Sequence, residues 1–222
     1  MENKNLGNKI FQIILIIEVI AVALVIIFDF FLPTLVILAL AAFSLLIRKE
    51  NIKALGFKKI DKPLKMVGTI FLLSLIWSVI LLAFIMPVLN HLLGTTQDLS
   101  AFEDLKGNIG KLIPLLLLSW TLAALGEETA YRGYLQKILY DLFGKNKIGI
   151  VLTIAISSIL FGLAHTEQGI IGVVLTTFDA VILSLVKRHY NDNLWAPVFF
   201  HGINNTVGMI TFFFIGPIYG FW

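Results

Sequence analysis

Seven apolar stretches run along this chain, at about residues 10–28, 32–47, 66–88, 112–131, 148–165, 170–186 and 194–215. About 20 apolar residues cross a bilayer as a helix, so the pattern predicts about seven spans, within a range of about six to eight. Polar positions punctuate the pattern. Asp29 and Pro33 mark a tight turn between the first two stretches. The connection from Arg48 to Lys65 holds Arg48, Lys49, Lys53, Lys58, Lys59, Lys62 and Lys65, whereas Leu89 to Gly110 carries Asp98, Glu103 and Asp104 against Lys106.

Basic connections stay on the cytoplasmic side. That rule places 48–65, Lys145 with Lys147, and Lys187 with Arg188 inside, and the 89–110 connection outside. Two crossings before the first basic connection make the amino terminus cytoplasmic; seven put the carboxyl terminus outside. The first stretch is too long for a signal-peptide core and has no small-residue cleavage site after it, so it reads as a retained helix.

The fourth stretch has two layouts. Ending it near residue 131 separates Glu127 from His165 by roughly a membrane thickness. Continuing it through Phe143 is supported by Leu135, Ile138, Leu139 and Leu142, an apolar stripe at helical spacing, with Gly144–Lys147 as a hairpin turn. Glu127 and His165 are then nearly equidistant from that turn. At about 1.5 Å per residue they reach the same height on antiparallel helices. His201, close to the start of the last stretch, is harder to level with them.

Composition sharpens the class. The chain has 222 residues, 58% hydrophobic and 14% charged, with mean hydropathy +0.92. Soluble domains carry roughly 25% charged residues. The expected fold is therefore all-α, a polytopic transmembrane helical bundle with a polar intramembrane cavity, embedded in membrane lipid. It forms a single integral-membrane domain, with 1–110 supplying the first helices and 111–215 the polar core. Cysteine is absent, which excludes disulfides, thiol nucleophiles and thiolate metal sites. The net charge of +3 sits in connections between helices, and no stretch suits nucleic acid.

An ionisable group at the bilayer centre costs at least ~2.5–3.5 kcal/mol, so polar clusters inside apolar stretches need a partner, a wet cavity or a job. Three stand out. In Glu127-Glu128-Thr129-Ala130-Tyr131-Arg132, helical spacing lets Glu128 pair with Arg132, while Glu127 points elsewhere, free to act as a base on water. A solvated helix end is the plain alternative. In Phe161-Gly162-Leu163-Ala164-His165 the ring and the imidazole share a face, and the plain alternative is an interfacial histidine. In His201-Gly202-Ile203-Asn204-Asn205, His201 and Asn205 suit an oxyanion or a metal, or serve as interhelical hydrogen-bond glue. Glu18 and Asp179 sit in apolar stretches without an obvious partner; Asp179 reads as a secondary site, the alternatives being a lysine partner or a place in the same cavity. Zinc-protease H-E-x-x-H, G-x-S-x-G and P-loop motifs are missing.

Taken in order, E-E-x-x-x-R, F-x-x-x-H and H-x-x-x-N resemble the CPBP family, the CAAX-processing and bacteriocin-processing (Abi) intramembrane proteases related to the Ras-converting CAAX endopeptidase. Asn193-Leu194-Trp195-Ala196-Pro197 ahead of His201 is similar to the family too, and the likeness covers about residues 112–210. The resemblance implies an enzyme that hydrolyses a peptide bond near the carboxyl terminus of a membrane-associated protein or peptide, entering from the cytosolic side or from lipid. Catalytic roles would fall to Glu127, activating water, His165, positioning it, and His201 with Asn205, stabilising the oxyanion. Glu128, Arg132 and Phe161 would support them. A divalent metal such as zinc and a metal-free glutamate mechanism both fit the resemblance. The short chain favours maturation of bacterial peptides or surface proteins over a prenylated substrate. The rival reading is a bacteriocin-immunity or transporter-like protein that binds a peptide or ion without cleaving it.

Overall fold

The computed structural model describes the backbone of residues 2–222 and the side chains of residues 7–222; among these the regular structure is entirely helical. The helices are α1 (Glu2–Ile27), α2 (Pro33–Arg48), α3 (Pro63–Leu93), α4 (Ile109–Phe143), α5 (Lys147–Leu163), α6 (Gly169–His189) and α7 (Trp195–Ile215). Each apolar stretch of the sequence has become one helix. Five of them (α1, α3, α4, α6 and α7) are long and apolar enough to cross a membrane, while α2 and α5 are shorter apolar helices. Proline opens α2 and α3, where a missing N–H costs nothing. Asn108 and Asn146 cap α4 and α5 by accepting the backbone N–H groups of Lys111 and Gly149.

The layout that ends the fourth helix near residue 131 is overturned, since α4 is 35 residues long and reaches Phe143. The reason is packing. Tyr134, Leu135, Ile138 and Leu139 are buried with Leu15, Val22 and Ile26 of α1 and Leu160 and Phe161 of α5. Buried side chains of α2 and α6, among them Ile37 and Ala180, complete this core. A second core joins Met66 and Ile70 of α3 to Leu183 of α6 and Phe200 of α7. Outward faces stay apolar: α3 exposes Leu72, Ile76, Val79 and Phe84, as a lipid-facing surface requires.

Two helices are wider than an α-helix. In α3 over Leu81–Ile85, and in α4 over Ser119–Leu135, the winding is π-helical, with carbonyls bonding five residues ahead. Pro114, inside α4 just before the wide segment, removes one backbone donor.

Close approaches set helix heights. The Leu194 N–H donates to the Gly56 carbonyl at 2.8 Å, so α7 begins against the α2–α3 connection. Gly133 of α4 faces the same place, because a Cβ there would lie 3.3 Å from both Leu55 and Leu194. The last turns of α4 thus extend past the start of α7, which brings His201 level with the glutamate pair. Glu18, without an evident partner in the sequence, has one: Arg48 pairs with it at 2.5 Å and lies 3.6 Å from Asp141. Lys137 links Asp141 at 2.9 Å to Glu50 at 3.1 Å, so α1, α2 and α4 are clamped at their basic end.

Candidate functional site

Glu127, Glu128 and Arg132 all belong to the wide segment of α4, and the two glutamates diverge. Glu128 is fully buried, and its Oε1 accepts from Arg132 Nη1 at 3.0 Å and from His201 Nδ1 at 2.9 Å. The expected Glu128–Arg132 pair is present, with His201 of α7 as an unforeseen third member. A buried ion pair depends on the contacts around it, and Glu128 Oε2 and Arg132 Nη2 are buried without a hydrogen-bond partner among the described residues. Here the Arg132 guanidinium lies over the Phe161 ring, 4.2 Å from its centroid, and the Arg132 carbonyl accepts from the buried Lys187 ammonium.

Phe161 is the hub of the arrangement. Its centroid is 5.0 Å from that of Tyr131, 4.8 Å from His165 and 6.2 Å from His201. His165 Nδ1 lies 2.8 Å from the Phe161 carbonyl. A carbonyl only accepts, so that nitrogen carries the hydrogen, and Nε2 is the position left for other partners. The same argument applies to His201, whose Nδ1 faces a carboxylate oxygen.

Glu127 turns to the other side, into a cavity of about 300 Å³. His165, His201 and Asn205 line that cavity as well, with Phe161 in its wall, while Glu128 and Arg132 stand behind it. All four sequence-selected residues therefore share one space. Glu127 Oε2 is buried and has no hydrogen-bond partner among the described residues.

Sequence reading missed several members. For Asp179 the alternative reading holds over that of a secondary site: it lines the same cavity, and its Oδ1 accepts from an unforeseen partner, Trp77 Nε1 of α3, at 2.5 Å. Asn204 also lines it, and its Oδ1 accepts from Ser78 at 2.8 Å and Ser74 at 3.4 Å. The signal for the latter was available, since Ser74 and Ser78 are one turn apart on an apolar helix. At one end of the cavity the α3–α4 connection meets the α5–α6 turn. Gln97 donates to the Gln168 side chain at 2.7 Å, and Asp98 N–H donates to the Gln168 carbonyl at 2.9 Å. Hydrogen bonds from the Ser100 side chain and backbone hold the Asp98 carboxyl below the ordinary carboxylate value.

Two imidazoles and a carboxylate are donors that zinc accepts. Among the described residues, however, no three His, Asp or Glu side chains converge closely enough to hold a metal ion. His165 and His201 each pack on the Phe161 ring, with their Nδ1 atoms tied to different partners. The side chains as arranged do not fit a metal.

Comparison with known proteins agrees with the motifs. Residues 109–207 match the family model described as type II CAAX prenyl endopeptidase Rce1-like. No curated protein and no solved structure matches the chain. The matched segment begins at the first residue of α4 and includes every motif residue from Glu127 to Asn205.

Proposed function

We propose, from the membership of residues 109–207 in the Rce1-like CAAX-type endopeptidase family, that this chain is a glutamate-dependent intramembrane endopeptidase. The family supplies the kind of enzyme; the roles of individual residues are our reading. One observation carries it: Glu127, whose Oε2 has no hydrogen-bond partner among the described residues, lines one cavity together with His165, His201 and Asn205.

Glu127 takes a proton from a water molecule, whose oxygen attacks the scissile carbonyl carbon. His165 Nε2 accepts the water's second hydrogen and so orients it. His201, with Nδ1–H on the Glu128 carboxylate, is placed to carry a second proton on Nε2 and to donate it as a hydrogen bond to the oxyanion, beside the Asn205 amide. Collapse breaks the C–N bond, and Glu127 returns its proton to the leaving amine. Arg132 and Phe161 hold Glu128 and the imidazoles in place. The substrate is a membrane-associated peptide or protein cut near its carboxyl terminus, in peptide or surface-protein maturation.

The test is proteolysis of a peptide library by purified, detergent-solubilised protein beside Glu127→Ala. Cleavage that disappears in the variant supports the reading. Equal cleavage by the variant removes Glu127 as the base. Peptide binding without cleavage by the wild type would favour an immunity or transport role.

A further inference from the structure

The two ends of the bundle differ sharply in charge. One end gathers Arg48, Lys49, Lys53, Lys58, Lys59, Lys62 and Lys65 around the α2–α3 connection. Lys145 and Lys147 at the α4–α5 turn and Lys187 and Arg188 before the α6–α7 connection join them there. The other end comprises residues 28–32, 94–111, 164–168 and 216–222, where Lys106 and Lys111 are the Lys or Arg residues and Asp29, Asp98, Glu103, Asp104 and Glu167 are acidic. Eleven named Lys or Arg at one end against two at the other outweigh Glu50, Asp61 and Asp192 at the basic end, so the imbalance is no accident of one loop. Lys and Arg in short connections mark the cytoplasmic side of a membrane helix bundle.

The cavity is not placed symmetrically between these ends. Its loop residues are Gln97, Leu99 and Phe102 from the α3–α4 connection, with His165 and Gln168 from the α5–α6 turn, all at the acidic end. No residue of the basic connections lines it. Toward the basic end, the buried side chains of Leu55 and Leu194 pack on Gly133, and the Lys187 ammonium bonds the Arg132 carbonyl. That end is sealed by apolar contact and one satisfied charge. The acidic end is closed by the Gln97–Gln168 pair and the adjoining backbone bond, together with Phe102 packed edge-on against Phe212.

We propose that the cavity is entered from the extracytoplasmic side, between the α3–α4 connection and the α5–α6 turn. Its substrates are then polypeptides presented at that face: secreted peptides, or surface proteins whose cleavage point lies in the outer part of the bilayer. The term substrate rests on the protease reading above; the side of entry does not. This side of entry differs from the cytosolic one that the family resemblance implies beside entry from lipid, and it favours polypeptides of the outer face over the prenylated tail of a cytosolic protein.

The chain lacks cysteine, so single-cysteine variants carry no background. Glu167→Cys marks the rim, Lys145→Cys the basic turn, and Met209→Cys the cavity wall, with Thr176→Cys repeating the wall reading from α6. A membrane-impermeant maleimide is added to intact cells, and labelling is read by mass shift. The expected result is labelling of Glu167→Cys and of a wall variant, with Lys145→Cys reacting only after permeabilisation. Labelling of Lys145→Cys in intact cells, or wall variants reached only from the cytoplasmic side, would overturn the proposal. Labelling needs no turnover. A protein that labels as expected but cleaves nothing would therefore sink the protease reading and leave the side of entry intact.

Discussion

Glu128 on α4 and His201 on α7 share a 2.9 Å hydrogen bond across a sequence separation of 73 residues. The same oxygen also accepts from Arg132, so Glu128 is held by two side chains, whereas its neighbour Glu127 lines the cavity; each glutamate has one further buried oxygen without a partner among the described residues. Two adjacent glutamates therefore have different consequences when changed. Glu128→Ala leaves Arg132 buried without its carboxylate and is expected to cost about 3–5 kcal/mol of stability. Glu127→Gln is expected to lower kcat by about 10²–10⁴ while leaving the melting temperature in detergent nearly unchanged. Thermal unfolding and peptide cleavage, measured on the same preparations, separate the two.

Phe161 carries three aromatic contacts and the Arg132 guanidinium at once. Phe161→Ala should destabilise by about 3–5 kcal/mol through the cavity it leaves. Phe161→Leu retains most of the volume and loses only the ring contacts, worth about 0.5–1.5 kcal/mol per aromatic pair. The leucine variant is expected to fold and to cleave slowly. Wild-type turnover by that variant would show that the ring does not hold the imidazoles.

Glycines discriminate tight from open helix contacts. A methyl group at Gly202 would stand 2.6 Å from the Trp120 ring, whose indole nitrogen donates to Thr206 at 3.0 Å. One at Gly162 would meet the Val173 carbonyl at 2.6 Å as well as Thr177. Overpacking of this kind costs about 1–3 kcal/mol. Gly202→Ala and Gly162→Ala should both lower the unfolding temperature, with Gly162→Ala the worse because backbone cannot yield. Gly208→Ala, with nothing within 4 Å, is the expected neutral control.

Cleavage is expected to survive a strong chelator. The donor types in the cavity suit zinc, but no three of them converge among the described residues. Activity assayed before and after chelation checks this directly. Loss that is restored by added zinc would mean that the two imidazoles leave Phe161 and meet at an ion.

Much of this architecture was legible in the sequence, for a simple reason. In lipid, every backbone polar group must be satisfied within its own helix, so apolar runs map onto helices almost one to one. The stripe through Leu139 even indicated that α4 reaches the hairpin. Glu127, His165, His201 and Asn205 were identifiable because polar residues in such runs demand an explanation. What stayed hidden depended on neighbours distant in sequence. Nothing local showed that Glu18 meets Arg48, that Trp77 reaches Asp179, or that His201 shares Glu128 with Arg132. Helical periodicity also assumed an α pitch in a segment that does not have one.

That last difference has a consequence for how the site can be lost. Between Ser119 and Leu135, α4 is wound with one extra residue in each hydrogen-bonded ring, and Glu127, Glu128 and Arg132 all ride on it. Deleting a single residue from this stretch, with every named side chain retained, would let the helix tighten and rotate the glutamates relative to the fixed imidazoles. Two chains could then carry identical motifs, one able to align its carboxylate and the other not. The reading frame of the winding is as much a part of this site as its side chains.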